Sequence, residues 1–295
     1  MLKKNPKGLS AYEILNRVQK FKFIQPMTVY RALDKLKSEG KIHKSNKNKT
    51  FHLCNDQDHD EHNAVLAVCD NCGVAEAGMT GIAAGLASCG LNPITYTITT
   101  FNTMRCLEQI RLDICYPNLP VIIVGTGSGL SYANLGATHH SMEDIALLRM
   151  IPNMHVICPG DVMEVKLAIS YALKLRRPTY IRLGKKGEPI VHKKLPKFEI
   201  GKGISLRNGD DIALLGVGNM LPTAMECSNL LEQKGISAKV ISLHTVKPLD
   251  EDLLKILFQN FQRIAVIEEH GLAGGACSAV SCVRSQSILL TGTVS

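Results

Sequence analysis

Apolar and polar segments alternate along most of the chain and predict strands and helices in turn. Short apolar runs of strand length are separated by helix-length segments, which is typical of a doubly wound parallel sheet. A second α/β unit is predicted from near Lys197 onward. The predicted strands of both units are residues 94–100, 119–125, 155–159, 179–184, 211–218, 236–243 and 263–269.

A helix made almost entirely of small residues follows one further apolar run, Val65 to Val68. The stretch 73–91, GVAEAGMTGIAAGLASCGL, consists mainly of Gly, Ala and Ser, so neighbouring elements can pack very close to it. Glu76 is its single acidic residue. It is either a solvated first-turn residue favoured by the helix dipole or a carboxyl withdrawn from water that can hold or share a proton. The residues alone leave both readings open.

The first fifty residues follow a different pattern. Apolar positions recur at helical spacing from Ser10 to Phe21, with Ser10 as the predicted N-cap, and a second helix is predicted over Met27 to Glu39. Two short strands are predicted after it, near Ile42 and at residues 50–53. Two helices joined by a proline-containing turn and followed by two strands predict a winged helix-turn-helix, although any small basic α/β module fits the same pattern.

Charge separates this segment from the rest of the chain. The 295 residues have a formal net charge of +8, but residues 1–50 hold 13 basic and three acidic side chains, a net charge of +10. The remainder has a net charge of −2. A polyanionic partner is therefore expected for the first segment only.

Composition narrows the possible classes of protein further. No run approaches 18 apolar residues and the basic start has no apolar segment behind it, so we expect a soluble cytoplasmic protein with no membrane partner. The ten cysteines are scattered, which favours reduced thiols or metal binding over disulfides. Only Cys69 and Cys72 have the spacing of metal ligands.

Four motifs in the first segment, SAYEIL, PMTVYRALDKLKSEGKIHK, FHLC and CDNCG, resemble the ferric and zinc uptake regulator family over about residues 8–73. The resemblance implies that the helix from Met27 lies in the major groove of DNA. Thr28, Tyr30 and Arg31 are then the expected phosphate and base contacts. A DNA-binding module covering residues 1–54 is the corresponding expectation.

The same resemblance implies zinc ligands. His43, Cys54 and His62 match three ligands of the family's sensing Zn²⁺ site, and Cys69 with Cys72 matches one CxxC of its structural site. The second CxxC and the dimerisation domain of the family do not occur in this sequence. We therefore expect a DNA-binding module without its sensor or its dimer partner.

Six later motifs look like the C-terminal half of transketolase, in particular the split form in which this half is a separate subunit. The resemblance implies an α/β fold with the winged-helix segment at residues 1–72, a pyrimidine-binding domain at 73–191 without its first elements, and a transketolase C-terminal domain at 192–295, truncated after Ser281. The motifs are GVAEAGMTGIAAGLASCG, LEQIRLDICY, GATHHSMEDIALLRMIPNMHVICPGD, YIRLGKKGEP, HTVKPLDEDLL and EEHGLAGGACSAV.

The transketolase resemblance assigns roles to four residues. Glu76 matches the glutamate that protonates a ring nitrogen of thiamine diphosphate. Phe101 matches the neighbourhood of the aromatic ring that packs on the aminopyrimidine, while the family's usual tyrosine in the next helix is Leu107 here. His139 matches a histidine that contacts the donor sugar near its reacting carbons. Arg182 matches an arginine that binds the sugar phosphate. The implied reaction is transfer of a two-carbon ketol unit between sugar phosphates.

Departures from the family pattern point to a partner chain. A phosphate-binding histidine of the family is replaced near Gly127, and the acidic residue that selects a sugar hydroxyl falls on Leu135. No GDG followed by an Asn-containing metal segment occurs, so the site for Mg²⁺ and the diphosphate is expected on a transketolase N-terminal-half subunit. An oligomer is expected for the active form.

Three functions stay open at this stage. The chain is a transketolase-like subunit, or a zinc-responsive DNA-binding repressor whose later domains are passengers, or a fusion of two gene fragments with no activity. The transketolase reading covers the most residues and the most motifs.

Overall fold

The computed structural model describes residues 9–20, 26–39, 42–44, 50–53, 64–68, 74–185 and 187–291. The chain divides into two compact units, residues 1–63 and 64–295. None of the described helices is long and apolar enough to cross a membrane.

The first unit pairs two helices with a small antiparallel sheet. Strand β1 (Leu9–Ser10) leads into helix α1 (Ala11–Gln19), helix α2 follows at Pro26–Ser38, and strands β2 (Ile42–Lys44) and β3 (Thr50–Leu53) complete the unit. Ser10 is the N-cap of α1, as predicted, and forms a capping box with Glu13. The three strands pair in the order β1-β3-β2, with both pairings antiparallel. The helices and the sheet enclose one apolar cluster: Leu9, Ile14, Leu15, Val29, Leu33, Ile42 and Phe51.

The second unit begins with a six-stranded sheet. Its first five strands in the chain are β4 (Ala64–Val68), β5 (Asn92–Ile98), β6 (Ile122–Thr126), β7 (His155–Ile157) and β8 (Thr179–Arg182). These five are parallel, in the order β7-β8-β6-β5-β4. The predicted apolar run at Val65 to Val68 is thus an edge strand beside β5. It leads into the helix that carries Glu76.

The helices of this region cover the sheet. Helix α3 spans Val74–Ser88, α6 spans Asp144–Met150 and α7 spans Val162–Leu175. Between β5 and β6 the helical backbone is irregular, and its parts are α4 (Thr99–Asn102), a 3₁₀ turn (Met104–Cys106), α5 (Leu107–Gln109) and a π-helical turn (Ile110–Cys115).

A second sheet of four strands follows. Its strands are β9 (Ile204–Arg207), β10 (Ile212–Gly216), β11 (Ala238–Ser242) and β13 (Ile264–Ile267), in the order β13-β10-β11-β9 with β9 antiparallel. Its helices are α8 (Leu221–Glu232), α9 (Glu251–Asn260) and α10 (Ala276–Thr291).

One strand crosses between the two sheets. Strand β12 (Thr245–Lys247) follows β11 in the chain but pairs antiparallel with β7, at the edge of the six-stranded sheet opposite β4. A continuous apolar core also joins the two sheets, with Ala83 and Ile123 on one side and Leu215 and Ala276 on the other. The two predicted α/β domains are therefore packed as one compact unit.

Candidate active site

Glu76 lies in the first turn of α3, where the chain has just left strand β4. Its carboxylate is buried, with 3% of the side chain exposed. The first turn of a helix favours a negative charge, because the unpaired backbone N–H groups point toward it. Of the two readings that the sequence left open, the structure supports the carboxyl withdrawn from water.

Arg105 is the charge partner of Glu76, and sequence reasoning missed it. Its Nη1 lies 3.2 Å from Oε2 of Glu76, and its guanidinium carbon lies 4.3 Å from the centre of the Phe101 ring. A signal was present in the sequence: Arg105 is the first basic residue after Glu76. A buried carboxylate requires a nearby cation or hydrogen-bond donors, so this arginine was one candidate, which only the fold could select.

The irregular helical run between β5 and β6 positions Arg105. Asn102 donates from Nδ2 to the backbone oxygen of Val124 at 3.0 Å, and the Thr103 hydroxyl donates to the oxygen of Thr99 at 2.7 Å. Cys106 on the other side of Arg105 is fully buried. The backbone at Arg105 is therefore held on both sides, while 40% of the Arg105 side chain is exposed to solvent.

His139 also contacts the Phe101 ring. The two ring centres are 5.2 Å apart in an edge-to-face arrangement, and Tyr132 approaches His139 in the same way at 6.4 Å. The Thr100 hydroxyl donates to the backbone oxygen of Thr138 at 3.1 Å, which fixes the His139 loop to the Phe101 segment. Glu76, Phe101 and His139, which lie far apart in the sequence, are brought into one row.

Lys185 extends this row and was also missed. Its ammonium lies 5.3 Å from the centre of the Tyr132 ring. Lys185 is exposed, and its ammonium forms no ion pair with a carboxylate in the described part of the chain, while its backbone N–H donates to Oε1 of Glu188 at 3.1 Å. The row runs from the buried anion of Glu76 to this open cation. Such a surface suits a ligand with a planar ring at one end and an anionic group at the other.

Arg182, which the resemblance assigns to the sugar phosphate, is bound by several groups of this chain. It is buried, and its Nε donates to Oδ2 of Asp144 at 2.8 Å. Its Nη2 donates to the backbone oxygens of Glu269 at 2.8 Å and Ser141 at 3.3 Å. Nε and Nη2 of Arg182 therefore already have partners within the chain, and its assignment to a sugar phosphate stays a prediction.

Asp144 also accepts a hydrogen bond from the Tyr180 hydroxyl, at 2.6 Å. Burial raises the pKa of Tyr180 well above its ordinary value, and the charge of Asp144 adds to the effect. The Arg182–Asp144 ion pair and the neutral Tyr180 hydroxyl therefore form one buried cluster, which links β8 to the start of α6. The contact with Glu269 extends it to the loop after β13.

The structure shows where Gly127 and Leu135 lie, the two positions at which the sequence departs from the family pattern. Gly127 has φ of +69°, and a Cβ there would lie 1.9 Å from Cε2 of Tyr132. A histidine at this position would therefore require Tyr132 to move. Leu135 is 51% exposed in the loop that leads to His139, which places an apolar side chain where the family has an acid.

The structure describes only some of the residues that are expected to contact DNA or to bind zinc. Thr28 and Arg31 are exposed on α2. Tyr30 lies on α2 and His43 on β2, but their side chains are outside the described parts. Cys54, His62, Cys69 and Cys72 lie outside the described residues altogether. Among the residues whose side chains are described, no three His, Cys, Asp or Glu groups cluster as metal ligands.

Comparison with protein-family models gives two matches. The model for the transketolase pyrimidine binding domain matches residues 38–188, and the model for the transketolase C-terminal domain matches residues 201–291. The first match starts well before the predicted junction at Gly73. The match to the C-terminal domain continues past Ser281, the predicted end of the resemblance.

Individual relatives agree with these matches. The chain is 34% identical over 205 residues to an apulose-4-phosphate transketolase subunit of Phocaeicola vulgatus, covering 69% of this chain and 66% of that protein. It is 36% identical over 209 residues to a 6-deoxy-6-sulfo-D-fructose transketolase subunit of a Clostridium species, covering 71% and 65%. The alignments thus span just under two thirds of these curated relatives.

A solved structure described as a split gene transketolase, inactive beta4 tetramer, superposes with a TM-score of 0.70. It is 30% identical in sequence, and the match covers 87% of this chain and 83% of that chain.

Proposed function

This chain belongs to the transketolase family, and from that premise we propose that it is the C-terminal-half subunit of a split, thiamine-diphosphate-dependent transketolase. In this role it binds the aminopyrimidine of the cofactor and the donor sugar phosphate, and the pair of subunits transfers a two-carbon ketol unit. The observation that carries the proposal is the buried Glu76 carboxylate, which Arg105 links to the Phe101 ring.

The residues fit an aminopyrimidine. The guanidinium of Arg105 is planar and bears N–H donors, and it already lies over Phe101 while donating to Glu76. A planar ring with a protonated nitrogen can make both contacts in the same way. When bound, thiamine diphosphate would supply the nucleophilic carbon that takes up the two-carbon unit. Phe101 would hold its aminopyrimidine ring, and Glu76 would hold a proton at a nitrogen of that ring.

We assign the sugar phosphate to the other end of the row. His139 is half-buried beside Phe101 and can donate to a sugar oxygen, whereas Lys185 is open to solvent and can pair with an anionic phosphate. Arg182 has a structural role in this proposal, because its donors are taken by Asp144 and by backbone oxygens. Leu135 near His139 favours a sugar that presents a less polar face there than the usual donors do.

A partner subunit completes the site in this proposal. The sequence contains no GDG segment followed by asparagine, and the described side chains form no cluster of three metal-ligating groups. We therefore place the Mg²⁺ and diphosphate site on an N-terminal-half subunit, so that the active form is an oligomer of both.

Reconstitution tests the proposal. The purified chain is mixed with an N-terminal-half subunit of a split transketolase, thiamine diphosphate, Mg²⁺ and sugar phosphates, and ketol transfer is measured. We expect no transfer by the chain alone and transfer by the mixture. Glu76→Gln should lower the rate of the mixture about 100-fold or more, since the amide cannot exchange a proton with the ring. Glu108→Gln, which makes the same change at an exposed glutamate on α5, is the matched control. Transfer by the unmixed chain, or full activity of the Glu76 variant, contradicts the proposal.

We propose DNA binding as a second function, on one observation. The first unit joins two helices to an antiparallel sheet in the order β1-β3-β2, and α2 exposes Thr28 and Arg31, as expected for a winged helix. Binding to duplex DNA, followed by fluorescence anisotropy, should be weak and steeply salt-dependent. Arg31→Ala should lower the salt slope by about one, whereas Arg17→Ala on α1 should not. Equal effects of the two changes would remove α2 from this role.

A further inference from the structure

Arg105 fills the place that the proposed function gives to the aminopyrimidine. It makes both contacts assigned to that ring, a hydrogen bond of 3.2 Å to Oε2 of Glu76 and a stack of 4.3 Å on Phe101. We infer that Arg105 is an internal competitor for the ring, so that it sets the affinity and the specificity of the site. This inference rests on the proposed function.

The physical need for such a competitor follows from the burial of Glu76. A carboxylate that is 3% exposed is strongly destabilised when it has no partner, so the free chain must supply a cation. Arg105 does so with a planar group, which also covers the face of Phe101. A ligand can enter only if it replaces both contacts at once.

The Arg105 side chain can leave Glu76 and Phe101 while its backbone stays in place. The backbone is held at Asn102 and at the buried Cys106, yet 40% of the Arg105 side chain is already exposed. Rotation about its side-chain bonds is enough to move the guanidinium into solvent, where water satisfies its donors. No movement of the surrounding helical run is required.

Specificity follows from the same geometry. A planar ring that carries an N–H donor toward Glu76 restores the partner that Arg105 gives up. A ring of the same size without that donor would leave the buried carboxylate unpaired and would lose to Arg105. The arginine therefore rejects flat apolar molecules that Phe101 alone would accept.

Binding of thiamine to the full chain, measured by calorimetry, tests the inference without any need for turnover. Thiamine carries the aminopyrimidine but no diphosphate, so the partner subunit is not needed. Arg105→Ala should bind thiamine about tenfold more tightly than the wild type, because the competitor is gone, which corresponds to about 1.4 kcal/mol. Arg111→Ala is the matched control, an exposed arginine on the same helical run. Circular dichroism establishes that each variant is folded.

Chemical rescue separates competition from a general change in structure. Guanidinium ion at a concentration far below that which denatures proteins should fill the space in Arg105→Ala. It should weaken thiamine binding by this variant toward the wild-type value and leave the wild type unchanged. A merely structural role of Arg105 predicts no such reversal.

The thiamine-binding results distinguish a failure of the Arg105 inference from a failure of the proposed function. If the wild type binds thiamine and Arg105→Ala binds it equally or more weakly, Arg105 is not a competitor, although the proposed function stands. If neither chain binds thiamine, and Glu76→Gln behaves as they do, the cofactor site itself is wrong and the inference fails with it.

Discussion

Replacement of Arg182 by methionine will remove the positive half of a buried ion pair and decide which role this arginine has. The Arg182 and Asp144 side chains are 1% and 0% exposed, and Nε lies 2.8 Å from Oδ2. In the variant, Asp144 keeps only the Tyr180 hydroxyl as a partner. Its Oδ1 is already buried without a hydrogen-bond partner among the described residues.

The expected loss is large. Removing one partner of a buried ion pair destabilises a protein by about 3–5 kcal/mol, because the remaining charge is left uncompensated. A domain has only about 5–15 kcal/mol of stability in total. With about 2–4 °C for each kcal/mol in a unit of this size, the melting temperature should fall by roughly 6–20 °C.

Urea unfolding and thermal melting of the full chain measure this loss. The double variant Arg182→Met with Asp144→Asn provides the control, since it removes both charges and leaves an acceptor for Tyr180. It should recover a large part of the stability lost in the single variant. A loss below about 1 kcal/mol for Arg182→Met would refute the structural role. Normal stability together with weaker sugar-phosphate binding would instead restore the role implied by the family resemblance.

Three further predictions concern other positions. Burial alone would lower the pKa of His192, but its hydrogen bond to Glu164 and that residue's charge raise it. The destabilisation caused by His192→Gln should therefore be greatest below about pH 6.5, and its pH-dependent part should disappear as pH rises through the raised pKa, as urea unfolding at several pH values will show. Gly127→Ala should destabilise the chain by about 1–3 kcal/mol in the same assay, because φ of residue 127 is +69° and the new methyl group would clash with the Tyr132 ring. An unchanged stability would show that the Tyr132 ring moves freely. In the reconstituted enzyme, Lys185→Met should raise KM for the sugar phosphate about tenfold and leave kcat nearly unchanged, and a fall in kcat alone would contradict the assigned role.

Local signals in the sequence were enough to predict most of the strands in both units. The run at Thr179 to Gly184, for example, contains β8, and residues 50–53 are β3 itself. These strands are apolar, have the usual length and are bounded by turn residues. Strands β9 and β12 were missed, because they are short and contain polar residues such as Ser205 and Lys247. Only their pairing with distant strands makes them part of a sheet.

The site was harder to predict, for a related reason. Glu76, Phe101 and His139 could be named from motifs, and the structure brings them together. Arg105 and Arg182 look alike in the sequence, as single arginines in apolar surroundings. Only the fold places Arg105 at the surface of the site, beside Glu76, and Arg182 in the interior, beside Asp144.

The crossing of β12 to the first sheet has a consequence for synthesis of the protein. The edge of β7 is complete only when Thr245–Lys247 has left the ribosome, almost ninety residues after His155–Ile157. At about 5–20 residues per second, this edge stays open for roughly 4–18 s in each round of translation. An unpaired strand edge is a template for pairing with another chain, so nascent chains on one messenger are exposed to one another during that interval. A chaperone that shields the β7 edge for those seconds would raise the yield of folded protein without changing its final stability.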